Sequence, residues 1–322
     1  VEAVKKFGNL PLNIKFMLEG EEEIGSPSMV DYLTANKDLL KSDMALNLDT
    51  GMLSPTHPTL TYALRGLAYF ELNIEGANKD LHSGVFGGSV RNAANEIASL
   101  VAGMHDENNK VTFPGFYDDV VDLTDTERVE LNKSPLNTEY IKDYVGVEDL
   151  WGEEGYTATE QVGARPTLDC HGILTGFVEE GGKTVVPNKA MAKFSSRLVP
   201  NQKPEKIQES VEAYIKANIH PSMKWDLTFM SGAKASISEF DSPFAVALVK
   251  GLKSAFGVKP IYKREGGSVP VVGYFQDYLG IDSVCSGFGL PDDNLHSPNE
   301  KMHLPTWYTG IEALVHMFYN LG

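Results

Sequence analysis

Apolar residues along this chain change their period several times, and each change marks an element. Residues 12–18 form a short apolar run of strand length, followed by Ser26-Pro27, with Ser placed as an N-cap and Pro at the first helical position. Residues 27–40 then read as a helix with Met29, Val30, Leu33 and Leu40 apolar, and residues 44–48 as a second strand ending at Asp49-Thr50-Gly51. Strand, helix, strand at this spacing predicts a parallel βαβ unit. From residue 67 the period drops to two. Phe70, Leu72 and Ile74 alternate with Glu71, Asn73 and Glu75, the pattern of a strand with one wet face. Ser89 is placed to cap a helix carrying Val90, Ala94, Ile97, Val101 and Met104.

Residues 106–164 are polar, acidic and poorly periodic, and read as an irregular insertion with short helices. Regular patterning returns as strands over 167–177 and 190–199, an amphipathic helix over 204–219 (Ile207, Val211, Tyr214 and Ile215 on one face), and a strand over 223–230. That β-α-β-β-α-β order is the ferredoxin-like arrangement. An α/β pattern then resumes. A helix runs from Ser242-Pro243 to Gly257, and a second over 268–279 is stopped by Gly280. A strand over 281–286, a loop over 287–304 and a last helix through Trp307, Ile311, Leu314, Val315 and Phe318 complete the chain. The fold class expected is α/β: a catalytic-type domain over residues 1–65 and 236–322, interrupted at 66–235 by a ferredoxin-like α+β domain.

Length and composition fit this division. A chain of 322 residues with 42% hydrophobic and 22% charged content can bury two cores. A net charge of -16 argues against nucleic acid and anionic membrane as partners, since nothing offsets phosphate repulsion. Cys170 and Cys285 are the only cysteines. They make no disulfide framework, which favours a reducing, cytoplasmic compartment, and both lie in apolar stretches that read as core. The chain starts without Met, on residues 1–7 that read as the tail of a helix, so a fragment lacking an upstream portion is expected.

The candidate chemistry starts at EGEEEIGS, residues 19–26, where Glu19, Glu21, Glu22 and Glu23 crowd between the first strand and the first helix. In open α/β sheets ligands bind beyond the carboxyl ends of strands, and crowded carboxylates repel unless neutralised. Two readings stand: a metal site with an adjacent general base, or a solvated acidic turn. Asp49 and His296, in loops that follow other strands of the same domain, favour the metal. Carboxylate and imidazole without thiolate suit zinc or manganese. Arg197 shares a strand face with Lys193 and Ser195, away from Phe194 and Leu198, and so is placed to leave the core, where by itself it reads as an exposed ion pair. His82 is by itself a turn residue beside Gly84. Gly266, Gly267 and Ser268 form a glycine-rich helix start whose amides suit an anion.

These segments, taken in order, resemble the co-catalytic zinc peptidases that include carnosinases, aminoacylases and glutamate carboxypeptidases. The nearest branch is the cytosolic nonspecific dipeptidases. The matching stretches are EGEEEIGS (19–26), LDTG (48–51), YALRG (62–66), NKDLHSGVFGGSV (78–90), GKTVVPNKA (182–190), RLVPNQ (197–202), REGGSVP (264–270) and HSPNEK (296–301). The resemblance implies hydrolysis of dipeptides with a free C-terminal carboxylate, using two divalent metal ions, Zn2+ or Mn2+. It implies Glu22 as general base, Glu23 and His296 as ligands of one metal and Asp49 as a ligand of the other. It further implies His82 as a histidine reaching the partner subunit's active site, Arg197 as carboxylate anchor, and Thr184, Gly267 and Ser268 as substrate contacts. The lid would form a homodimer. An upstream His and a bridging Asp of the family pattern are absent from this sequence. N-acyl amino acid deacylation within the same family and a non-catalytic homologue or inactive fragment are the alternatives, and the DLHSG and REGGSVP segments favour the dipeptidase.

Overall fold

The computed structural model describes residues 8–135 and 137–322, so the expected helix tail at 1–7 lies outside the described residues. Eleven strands are described: β1 (Ala45–Asn47), β2 (Thr59–Leu64), β3 (Gly66–Glu75), β4 (Leu81–His82), β5 (Thr167–Thr175), β6 (Val185–Val186), β7 (Lys189–Leu198), β8 (Lys224–Ala233), β9 (Ser236–Ile237), β10 (Ile261–Glu265) and β11 (Ser283–Cys285). They make two main sheets and a small ribbon.

The first sheet has the order β1-β11-β2-β10, with β9 also on β2. β1 pairs parallel with β11, β2 parallel with β10, and β11 meets β2 antiparallel. Helices Pro243–Phe256 and Leu304–Asn320 pack together on it. Their approach is close enough that a Cβ on Gly251 would lie 2.4 Å from Ala313 O. Leu60, Leu248, Leu252, Val284, Ala313 and Met317 fill the space between sheet and helices. The second sheet is antiparallel throughout, in the order β5-β7-β3-β8. Helices Ala93–Ala102 and Pro204–Asn218 cover its apolar face, and Phe70, Leu72, Phe194, Ile97, Val211 and Ile215 form its core. The β-α-β-β-α-β reading and the wet-faced alternation of β3 therefore hold. The wet face carries cross-strand ion pairs, Lys193–Glu71 at 3.3 Å and Lys189–Glu75 at 3.6 Å.

The irregular insertion contains helices Asp125–Leu131, Thr138–Val145 and Ala158–Ala164. Two of them start with a full capping box, Thr124 with Glu127 and Thr157 with Glu160. The stretch is held both by apolar residues sunk into the cores, Phe113, Phe116 and Leu131 among them, and by charge. Arg165 makes a bidentate pair with Glu153 (both contacts 2.8 Å, both side chains buried) and lies 4.3 Å over the Tyr156 ring.

Several expected boundaries move. Residues 12–18 are not a strand. No described strand lies beside them to pair with their backbone. Met17 leans on the Met29–Leu33 cluster while Phe16 and Leu18 stay exposed, at 84% and 93%. The parallel partner of β1 is β11, from the far end of the chain, so the expected βαβ unit does not form. Ser26 does not cap a helix; it is buried with φ +54, and the helix runs Met29–Ala35, then Lys37–Leu40 after a break at Asn36. Asn92, not Ser89, caps Ala93–Ala102; its Oδ1 accepts from Ala94 N–H (2.8 Å) and Asn95 N–H (3.3 Å). The helix expected at 268–279 starts only at Pro270 and passes into a π turn at Phe275–Leu279 before Gly280. Among the described residues, no helix is long and apolar enough to cross a membrane.

The corrected cap can be tested directly. Asn92→Ala should lower stability in urea unfolding by about 1 kcal/mol. Ser89→Ala, whose hydroxyl only donates to Phe86 O at an exposed turn, should change it by less than half of that.

Candidate active site

The acidic run is shaped by its own backbone. Ile24 N–H and Ser26 N–H donate to Glu21 O (3.1 and 2.9 Å), Gly25 N–H donates to Glu22 O (2.9 Å), and Gly25 closes the turn at φ +84. The Glu21 carboxylate accepts from Ser28 N–H at 3.1 Å. Glu21 is thus committed to the turn, and Glu22 and Glu23 are left to project from the one-turn helix Glu22–Ile24.

Asp49 follows the end of β1. Its loop is fastened to the segment after β11 by Thr50 N–H to Ser286 O (3.3 Å), Met52 N–H to Gly289 O (2.8 Å) and a bridge between Gly51 and Gly289. The approach is so close that a Cβ on Gly287 would stand 1.3 Å from Thr50 O. From there the chain reaches His296 through a loop folded back on itself. Asp293 Oδ2 accepts from Leu290 N–H (2.7 Å), Asp293 O accepts from Lys301 N–H (3.0 Å), and Asn294 and His296 both have positive φ, +58. His296 Nε2 then lies 3.8 Å from Glu23 Oε2, in ionic range but beyond a hydrogen bond.

The electrostatics agree with crowding. The Glu22 carboxyl is pushed up by desolvation first, then by the charges of Asp49, Glu23 and Glu19, with His296 pulling the other way. Asp49 is likewise raised by desolvation and then Glu23, again opposed by His296. Carboxylate oxygens and an imidazole nitrogen, mutually repelling and without a lysine or arginine among them, are the donor chemistry of a divalent cation. The donor types fit. Their positions make a pair, Glu23 with His296, and Asp49 stands near it; no group of three or more His, Cys, Asp and Glu is gathered at ligand spacing among the described residues.

Two other groups of expected residues assemble separately. In the β4–β6 ribbon His82 pairs with Val185, and Ser83 N–H donates to Thr184 O (3.1 Å), so His82 and Thr184 stand side by side. His82 Nδ1 accepts from Gly84 N–H at 2.9 Å. A neutral ring in that bond carries its proton on Nε2, and the residue is exposed. Between the two main sheets, Arg197 Nη1 donates to Ser268 Oγ at 3.0 Å, and Gly267 is exposed beside it. The Gly267–Ser268 amides precede the helix at Pro270 rather than opening it, so the helix-terminus reading of that loop is corrected. No hydrogen bond or ion pair among the described residues joins these three groups.

Residues outside the sequence expectations also meet here. Arg264 pairs with Glu127 and donates from Nε to the Tyr62 hydroxyl (3.0 Å), tying β10 to the insertion. Arg65 reaches the same loop. Both lie in quoted motifs, yet contacts across 137 to 202 positions leave no mark in local pattern. Cys170 is exposed rather than core: β5 is an edge strand, and past Leu168 its positions are exposed on both faces as far as Leu174. Cys285 is buried as expected, its thiol pushed up to about 12 by desolvation.

Comparison with known proteins follows the same lines. Residues 62–222 match the family described as a peptidase dimerisation domain. All of the chain aligns at 33% identity with 69% of the Cys-Gly metallodipeptidase dug1 of Schizosaccharomyces pombe. In the same way 98% of it aligns at 29% identity with 63% of the Beta-Ala-His dipeptidase of Homo sapiens. Among solved structures, the di-peptidase Dug1p from Saccharomyces cerevisiae superposes with TM-score 0.83 at 28% identity, over 99% of this chain and 68% of that one. An M20 family metallo-carboxypeptidase from Sulfolobus solfataricus gives 0.82 at 31%, over 94% and 69%. The chain spans about two thirds of the length of these relatives.

The Thr50–Gly287 contact predicts a sharp requirement. Gly287→Ala should destabilise the fold by about 1–3 kcal/mol or more, read as a lower urea midpoint, because the added methyl must displace the backbone of the Asp49 loop.

Proposed function

This chain belongs to the M20 metallopeptidase family, whose relatives here are named metallodipeptidases, and we propose that the whole protein hydrolyses dipeptides bearing a free C-terminal carboxylate. The observation that carries this reading is the Glu23–His296 pair at 3.8 Å, with Glu22 and Asp49 near enough that desolvation and neighbouring carboxylates push both upward. Residues 1–65 and 236–322 form the catalytic domain in this reading, and 66–235 the lid through which two copies pair; the match of 62–222 to a dimerisation domain supports that pairing. The two unpaired cysteines support a cytoplasmic setting.

Glu23 and His296 would hold one divalent ion and Asp49 would contribute to a second, zinc or manganese. Such ions, when bound, polarise the scissile carbonyl and make water acidic enough to attack. The rest falls to side chains. Glu22, adjacent to Glu23 but free of the turn, takes the proton of the attacking water and returns it to the leaving amine. The upward push on its carboxyl, from desolvation first and then from Asp49, makes it a stronger base toward the water proton. Arg197, steadied by Ser268, grips the peptide carboxylate, with the Gly267 and Ser268 amides beside it. His82 of one copy offers Nε2–H to the carbonyl oxygen in the other, with Thr184 next to it as a further polar contact.

Glu22→Gln in the whole protein should reduce kcat by about 10²–10⁴-fold while metal content by mass spectrometry stays that of the wild type. Near-normal turnover would end the assignment of the base. Treatment with EDTA should abolish dipeptide cleavage, and added Zn2+ or Mn2+ should restore it. Activity that survives metal-free dialysis would refute the metal reading.

A further inference from the structure

Arg65 is the single residue between β2 and β3, and its side chain is only 9% exposed. It grips one turn from two points. Its backbone N–H donates to Glu265 O (3.2 Å), and its Nε donates to the next carbonyl, Gly266 O (3.0 Å). Nη1 reaches Arg165 O at 3.4 Å, bringing in the end of the insertion. Two residues beyond Gly266 stands Ser268, whose hydroxyl accepts from Arg197. The loop from 265 to 268 is therefore pinned between two guanidiniums, Arg65 at the junction of the two main sheets and Arg197 of β7.

Arg65 has no ion pair among the described residues. The carboxylates that act on it are Asp169 and Glu265, and Glu265 is already engaged by Lys263 Nζ (2.5 Å) and Gly266 N–H (3.1 Å). Arg197 likewise donates to a hydroxyl and pairs with no carboxylate among the described residues. A buried cation without a counter-ion is costly, so stability alone does not account for it. The guanidinium fork has a property no other side chain shares: it holds several carbonyls at a fixed angle. Its packing is equally tight from the other side, since a Cβ on Gly266 would lie 3.0 Å from Arg65 Nη2 and 2.9 Å from Val162 Cγ1.

We propose that Arg65 is a positioning residue of the carboxylate subsite: by fixing the Glu265–Gly266 turn it keeps Ser268 against Arg197, and so sets the preference for a free C-terminal carboxylate over a neutral one. This rests on the dipeptidase reading above. The test is the ratio of kcat/KM for a dipeptide to that for its C-terminal amide, in the whole metal-loaded protein, with a thermal melt to establish folding. Wild type should favour the acid. Arg65→Gln should raise KM for the acid by about tenfold or more with kcat within about threefold, and lower the acid-to-amide ratio by about tenfold. Arg65→Lys, which keeps the charge but reaches a single carbonyl, should recover part of the ratio. Gly266→Ala, which pushes on the same guanidinium from the opposite side, should lower the ratio in the same direction. Should Arg65→Gln fail to fold, the last two variants decide. A ratio that stays at the wild-type value in folded variants overturns the role of Arg65 alone. A wild type that cleaves dipeptides without preferring the acid overturns both this role and the carboxylate anchor, and a wild type that cleaves neither overturns the dipeptidase reading beneath them.

Discussion

Where the loop after β1 meets the loop after β11, Thr50 and Gly287 touch backbone to backbone with no room for a side chain. Parallel pairing of two three-residue strands sets up this contact, and the hydrogen bonds of Thr50 and Met52 extend it past the sheet edge. Strands this short would be marginal alone; they persist because Leu60, Val284 and the two long helices pack over them. The contact is what lets Asp49, close to residue 50, and His296, almost at the end of the chain, stand within reach of Glu23.

The elements legible in the sequence are those whose own residues carry the signal. β3 alternates, Pro204–Asn218 and Leu304–Asn320 repeat at helical spacing, and Pro243–Phe256 has Ser242 before it and Gly257 after it. The elements that went unseen depend on neighbours. β2 is buried at every position, so it has no alternation to show, and β10 is mostly charged because Lys263, Arg264 and Glu265 find partners within the fold. Residues 12–18 looked like a strand because apolar runs of that length often are; pairing decides the matter, and pairing is not local.

The candidate site divides in the same way. Glu22 and Glu23 could be picked out as a crowded acidic run, and Asp49 and His296 as polar residues in the loops after β1 and β11. The resemblance singled out Glu22 and Glu23 within that run; the structure adds that Glu21 accepts a backbone bond from Ser28. Arg65 could not be picked out at all. A lone arginine before a glycine is unremarkable until the carbonyls it holds, about two hundred positions away, are known.

The same residue has a mechanical meaning. The chain crosses between the two main sheets through Arg65 and returns through the short stretch from β8 to β9, where a Cβ on Gly66 would lie 2.4 Å from Ala233 O. The crossing strands have no slack to slide. Relative movement of the sheets is left to torsion about this crossing. Such a rotation would carry β7 with one sheet and the loop after β10 with the other, parting Arg197 from Ser268. The angle between the sheets and the Arg197–Ser268 contact are thereby coupled.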